Sequence, residues 1–292
     1  MKNFKKLALM GLTAVMSLSL LTACGGGTTG NAETPAGNSE TPAAENSETP
    51  AATGEFTTVE EGKLIMSTNA QFPPYEMVGD GEGYEGTGYE GIDVEIAYAI
   101  AQKLGLELVV DNMGFDASLQ AVQTGKSDIV MAGVTVTDDR LEVMDFSDTY
   151  ANGIQVVIVP EDSEITTIED LDGKLIGCQM GTTGYIYCSD TPENGGYGED
   201  AVIPYDDGAA AIQALLNGQV DCVVIDNAPA QEYVKANPGL KILDTEFANE
   251  NYAIGFAKGN TALKDAVNNA LSELIEDGTV QSIIDKYIPA EG

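Results

Sequence analysis

Leu119-Gln120-Ala121-Val122-Gln123-Thr124-Gly125-Lys126-Ser127-Asp128-Ile129-Val130 is the stretch on which the fold turns. It returns 93 positions later as Ile212-Gln213-Ala214-Leu215-Leu216-Asn217-Gly218-Gln219-Val220-Asp221-Cys222-Val223. Each copy reads as an apolar-striped helix, a glycine stop, an aspartate, and an apolar run short enough for a buried strand. Such a joint also arises by convergence, but either way the chain contains two similar α/β units. Outward from the first copy, the pattern predicts strands at 63–68, 106–110 and 128–134 and helices at 93–104 and 116–124. Around the second it predicts strands at 174–179, 201–204 and 220–225, with helices beginning at 183 and 208. A strand at 252–257 and helices at 261–277 and 279–287 close the chain. This alternation specifies an α/β protein with parallel-rich sheets flanked by helices. If 154–159 and 252–257 are crossover strands, one lobe comprises 58–152 plus 250–292 and the other 153–249. Two connections make a hinge, and the cleft between the lobes becomes the natural ligand site.

Ahead of the first strand the chain changes character. Lys2, Lys5 and Lys6 precede an apolar run from 7 to 21 that ends on Leu21-Thr22-Ala23-Cys24. A basic start, a short apolar segment and a small-residue cleavage site make residues 1–23 a secretory signal peptide. The Leu-Thr-Ala-Cys ending resembles a bacterial lipobox, which implies cleavage before Cys24 and a diacylglycerol on its sulfur. Residues 24–57 then carry three near-copies, beginning at Asn31, Asn38 and Asn46, of a seven-residue Asn/Glu/Thr/Pro/Ala unit. Such composition buries too little apolar surface to offset the entropy of ordering, so the segment reads as a disordered tether. Its coil reach is roughly 30 Å, and it would hold a soluble body off the outer face of the cell membrane.

Composition excludes more than it selects. Acids outnumber bases 47 to 13, for a net charge of −34, and histidine is absent. The charge argues against nucleic acid and against peripheral docking on anionic lipid. Without histidine, Ser-His-Asp and Cys-His nucleophiles and His-ligated metals are unavailable. Neither a cofactor nor a metal ion is expected. Cys178 and Cys222 lie in apolar strand-like runs and read as core residues, while a Cys178–Cys188 pair stays open.

Arg140 is the only arginine in the chain. Its fork of donors matches a carboxylate in two parallel hydrogen bonds, although by residue type alone it is equally a surface cap paired with Asp138 or Asp145. Ligands of open parallel sheets sit beyond the carboxyl ends of the strands, and those positions hold Asn69 and Phe72, Gly133 and Thr135, Gln179, and Asp226. Thr137 suits the N-cap of a short helix that carries Arg140. The helix starting at Thr183, beside Gly181 and Gly184, offers backbone N–H groups to an anion. Asp226 can accept from an ammonium group, or serve only as a turn or cap residue. Phe72 and Phe115 can sandwich a side chain, or belong to the core. Arg140 on one lobe and Asp226 on the other suit a zwitterion.

Several of these positions fall within motifs that, together, resemble one family. They are Phe72-Pro73-Pro74-Tyr75-Glu76, Gly91-Ile92-Asp93-Val94-Glu95, Thr135-Val136-Thr137-Asp138-Asp139-Arg140, Asp145-Phe146-Ser147-Asp148, Gly181-Thr182-Thr183-Gly184 and Gly218-Gln219-Val220-Asp221. Over residues 60–290 the chain resembles the polar amino-acid solute-binding proteins of ABC importers, in the extracellular family-3 group. The resemblance implies a two-lobed, type II periplasmic-binding-protein-like fold and a monomeric, lipid-anchored receptor that delivers an L-amino acid to a membrane permease. It further implies that Arg140, Thr135 and the Thr183 amide hold the ligand carboxylate, and that the Gly133 carbonyl and Asp226 hold the ammonium. Phe72 and Phe115 would flank the side chain, with Asn69 and Gln179 near its tip. Asn69 stands where many relatives carry aspartate and Gln179 where some carry lysine, which favours a polar, uncharged amino acid while leaving arginine or lysine open. Two other functions fit the same scaffold: a cyclohexadienyl-type dehydratase, and a sensor for a signalling partner.

Overall fold

The computed structural model describes residues 56–288. The signal peptide, Cys24 and all but the end of the tether lie outside the described residues, so the expectations placed on them are untouched by the fold.

The first unit begins with β1 (Lys63–Thr68), β2 (Gln71–Phe72), β3 (Glu76–Val78) and β4 (Tyr89–Glu90). It continues through α1 (Ile92–Leu104), β5 (Glu107–Asn112), α2 (Phe115–Gln123), β6 (Ile129–Val130) and α3 (Asp138–Val143). The long strand β7 (Met144–Pro160) leads out of it. The second unit holds β8 (Ile176–Gln179), α4 (Thr183–Ser189), β9 (Val202–Tyr205), α5 (Gly208–Leu216), β10 (Cys222–Asp226), α6 (Asn227–Ala236) and β11 (Leu240–Ile242). The chain returns along β12 (Ala248–Ala257) and finishes in α7 (Thr261–Glu276) and α8 (Thr279–Tyr287).

The strands form one mixed sheet in the order β5-β1-β6-β12-β7-β10-β8-β9, with β11 also paired to β7, while β2, β3 and β4 make a separate antiparallel sheet. β5, β1 and β6 run parallel, as do β10, β8 and β9. β7 and β12 are antiparallel to one another and join the two parallel segments. The molecule is thus two-lobed, each lobe a parallel-rich sheet flanked by helices, with two strands running between them.

The repeated aspartates do the same work twice. Asp128 accepts the N–H groups of Ile65 (2.8 Å) and Val59 (2.7 Å), fixing the entry of β1. Asp221 accepts the N–H of Leu175 (2.8 Å), just ahead of β8. In each unit the residue closing the helix–glycine–strand joint therefore aligns the neighbouring parallel strand.

Side-chain alternation explains why both faces of the sheet are covered. Along β7, Val156 and Ile158 enter one apolar cluster with Ile212 and Leu215, while Val157 and Val159 enter another with Leu171 and Ile176. β10 splits the same way, with Val223 and Ile225 on one face and Cys222 and Val224 on the other. A strand buried on both sides reads as a continuous apolar run, which is how both appear in the sequence. In the first unit, Leu64, Met66, Ile96, Ile100, Phe256 and Leu271 share one core.

Several expectations are corrected. The strand expected at 128–134 is reduced to Ile129–Val130, because the chain then leaves the sheet to line the cleft. The crossover strand expected at 154–159 extends back to Met144, its polar first half being paired to β12. Phe115 opens α2 rather than preceding it, behind Gly114. Cys178 and Cys188 are not bonded to each other; with Cys222 they are free thiols buried in one apolar cluster. The thiol of Cys188 contacts Cys178, and this contact, with burial, pushes its pKa up.

Candidate functional site

A small, partly enclosed cavity lies where the two parallel segments meet. Asn69, Phe72, Phe115, Gly133, Thr135, Arg140, Gln179, Thr183 and Asp226 all line it. Their convergence follows from topology: each sits at the carboxyl end of a parallel strand or in the segment that follows it, whether loop, short strand or helix start.

Arg140 is carried by α3, whose N-cap is Thr137; the Thr137 hydroxyl accepts the Arg140 N–H (3.2 Å). The side chain is buried and lies over the Phe115 ring, 5.4 Å from its centroid. Nη1 donates to the Thr135 carbonyl (2.8 Å) and Nη2 to the Gly181 carbonyl (3.2 Å), the second bond crossing the cleft. None of the ion pairs among the described residues includes Arg140. Burial accordingly lowers its pKa, opposed chiefly by the field of Glu250. A guanidinium has five N–H donors, so donors remain for a guest.

Asp226, at the end of β10, is also buried and serves as the N-cap of α6. One carboxylate oxygen accepts the Tyr252 hydroxyl (2.6 Å) and the Ile154 N–H (3.0 Å); the other accepts the Ala228 N–H (3.1 Å). The cap and the cavity-lining position are therefore one and the same residue. Burial pushes its pKa up to about 6, although the Tyr252 hydrogen bond and the two N–H groups pull the other way.

The polar amides meet across the cleft. Gln179 Nε2 donates to Asn69 Oδ1 (2.9 Å) and to the Asp206 carbonyl (3.2 Å), and Asn69 Nδ2 donates to the Met113 carbonyl (2.9 Å). Phe72 stacks on Tyr75, with centroids 5.6 Å apart, and so presents an aromatic wall. Thr182 rather than Thr183 caps α4, its hydroxyl accepting the Tyr185 N–H (3.4 Å). Thr183 is then the first helical residue, where backbone N–H groups have no intrahelical acceptor.

Sequence reasoning missed two carboxyls. Glu250, on β12, accepts the Thr135 hydroxyl (2.9 Å) and Gln155 Nε2 (3.1 Å) with one oxygen. Its other oxygen is buried and has no partner among the described residues. The Thr135 hydroxyl is thereby engaged with Glu250, whereas the expectation had left it to a ligand. Glu76, on β3, is fully buried and also lines the cavity. The signal for Glu76 was its place in Phe72-Pro73-Pro74-Tyr75-Glu76; for Glu250 it was an acid two residues ahead of the buried Tyr252 in the same strand. Among the described residues, no cluster of Cys, Asp or Glu is arranged to hold a metal ion.

A two-lobed α/β body with opposite charges buried on either side of a polar cleft defines a small-molecule receptor. The profile of the bacterial extracellular solute-binding proteins, family 3, matches residues 64–290, and the chain belongs to that family. A probable histidine-binding protein of Neisseria gonorrhoeae is 34% identical over 236 residues, covering 79% of this chain and 85% of that one. The arginine-binding extracellular protein ArtP of Bacillus subtilis (strain 168) is 32% identical over 233 residues, covering 78% and 87%. Among solved structures, an ancestral arginine-binding protein bound to glutamine superposes with a TM-score of 0.70 at 38% identity, covering 78% of this chain and 99% of that one.

Proposed function

We propose that this protein is an extracytoplasmic receptor that captures an L-α-amino acid in the interlobe cleft and delivers it to an ABC-type permease. The lobes are 58–152 plus 250–292, and 153–249. Arg140 and the start of α4 take the α-carboxylate, Asp226 and the Gly133 carbonyl take the ammonium, and Phe72 and Phe115 flank the side chain. Asn69 and Gln179 meet its tip. The reading rests above all on a buried guanidinium with no ionic partner facing the same cavity as a buried carboxylate on the other lobe. A zwitterion supplies the missing partner to both at once, and the closed arrangement is the state it selects.

Asn69 and Gln179 alone favour a neutral polar side chain. Glu76 and Glu250 add acceptors that suit a basic one, in keeping with relatives named for arginine and histidine. The class is therefore polar amino acids, neutral or basic. The protein acts as a monomer, is not an enzyme, and is held at the membrane by a lipid on Cys24.

A thermal-shift panel of the mature protein against the L-amino acids tests the assignment. A ligand at 100 times its dissociation constant adds about 2.7 kcal/mol of stability. Polar or basic members should raise the melting temperature; a flat response across the panel would remove the amino-acid reading.

A further inference from the structure

Glu76 has a chemical problem that its surroundings do not solve. It is 0% exposed, and no N–H or O–H of the described residues reaches either of its carboxyl oxygens. Its polar neighbour is a second acceptor, the carboxyl of Asp93 in the first turn of α1, with which it is in contact. Asp93 is equally buried, but its oxygens are served: one accepts the Tyr150 hydroxyl (2.8 Å) and the other the Gly133 N–H (3.0 Å). No lysine or arginine among the described residues forms an ion pair with either acid.

Two carboxylates side by side in a dry interior cannot both ionise. A proton between them converts an acceptor–acceptor clash into a hydrogen bond, and it belongs on Glu76, the member without donors. Burial, then Asp93, holds Glu76 well above the usual carboxylate range, and burial pushes Asp93 up to about 6. The Tyr150 hydroxyl that donates to Asp93, and the nearby Tyr75 hydroxyl, are themselves pushed upward by burial and stay neutral. The same cavity is also lined by Asp226, Glu250 and Arg140. Glu76 lines that cavity beside Phe72 and Gly133, so the stored proton lies next to the space taken by a ligand side chain.

We propose that Glu76 and Asp93 share one proton in the unliganded protein, and that a ligand with a cationic side chain displaces it. Basic amino acids then bind with release of one proton, and neutral ones bind with none. The proposal rests on the amino-acid-receptor reading above and adds a proton step to it. The balance is simple: the Glu76 O–H bond breaks, the proton passes to solvent buffer, and the ligand cation takes its place against the carboxylate. By linkage, affinity for a basic amino acid rises by up to ~10-fold per pH unit wherever the unliganded pair still holds the proton. Affinity for a neutral one stays level above about pH 6, where Asp226 is ionised. A single pocket thus accepts both classes, with the balance between them set by external pH.

Calorimetric titration of the mature protein at about pH 7.5, above the range in which Asp226 titrates, decides the matter. L-arginine and L-glutamine are each titrated in phosphate and in Tris, buffers of very different ionisation enthalpy. The expected result is a buffer-dependent heat for arginine corresponding to nearly one proton released, and a buffer-independent heat for glutamine. Glu76→Gln should abolish the release and weaken arginine binding ~10-fold or more. Asp93→Asn, which removes the competing carboxyl and leaves burial as the remaining cause, should reduce the release and serves if the first variant does not fold. Arginine heats that match in the two buffers, release that persists in Glu76→Gln or is undiminished in Asp93→Asn, or equal release with glutamine each overturn the proposal while leaving the receptor reading intact. Binding of glutamine with none of arginine overturns it too. If neither amino acid binds, the receptor reading falls and this inference with it.

Discussion

Arg140 donates to carbonyls from both lobes, yet neither carbonyl neutralises it, and that imbalance is what makes it the strongest handle on function. Arg140→Ala should weaken amino-acid binding by about 2–5 kcal/mol, roughly 30- to several-thousand-fold, while the circular dichroism spectrum is retained. Calorimetry showing wild-type affinity in that variant would take Arg140 out of the site. Asp226 provides the matching pH dependence. Its carboxyl, pushed up to about 6 by burial, must ionise to hold an ammonium, so affinity for a neutral-side-chain amino acid should fall as pH drops below about 6. The sign for stability is opposite. The native state binds this proton more tightly than the unfolded chain does, so Asp226 stabilises the unliganded protein at low pH and loses that contribution as pH rises through about 6. Titrations across about pH 5 to 8 check the first trend, and an affinity that improves on acidification contradicts it. Nine of the residues that line the cavity were legible because strand ends and a lone arginine announce themselves. Glu76 and Glu250 were not, because an acid within a strand reads by default as solvent-facing; only three-dimensional packing shows both buried.

At the scale of elements, β7 and β12 carry the architecture. Their pairing runs from Ala248 opposite Gln155 to Ala257 opposite Met144, with register shifts around Ala253. Gly153 on β7 allows this crossing to close over the site: a Cβ there would lie 2.5 Å from the Tyr252 ring and 2.7 Å from Asp226 Oδ2. Gly153→Ala should therefore lower the thermal stability of the unliganded protein by about 1–3 kcal/mol, the usual cost of overpacking. An unchanged melting temperature would show that the crossing can yield. Helix and strand periods located most elements to within a few residues because two-faced burial leaves unbroken apolar runs. α6 escaped notice, with Pro229 near its start; proline in a first helical turn is in fact tolerated. The polar half of β7 escaped as well, since Asp145, Ser147, Asp148 and Asn152 interrupt any apolar pattern and only pairing with β12 makes a strand of them.

For the whole molecule, the cross-cleft contacts describe a closed body. Arg140 reaches Gly181, Gln179 reaches Asn69, and the Tyr233 hydroxyl donates to the Gln71 carbonyl (3.3 Å). Gly181 is the tightest point. It adopts φ +76°, and a Cβ there would lie 1.7 Å from Asp116 Oδ1 on the facing lobe. Gly181→Ala should penalise closure by about 1–2 kcal/mol, weakening amino-acid binding roughly 5- to 30-fold. Small-angle scattering should also show less of the compaction that ligand induces in the wild type; full compaction in the variant would contradict this. The net charge of −34 does not oppose such a ligand. Salt screens the global field within about 8–10 Å, and a zwitterion responds to the local poles instead. The two-lobed plan was readable from the repeated joint, but the contacts that close it join residues more than forty positions apart and leave no local trace.

The most direct test is a crystal structure of the mature protein with a stabilising amino acid bound. The account predicts the α-carboxylate on the Arg140 guanidinium and the ammonium against Asp226, with the lobes shut around them. A ligand seated elsewhere, or Arg140 turned toward bulk water, would contradict it.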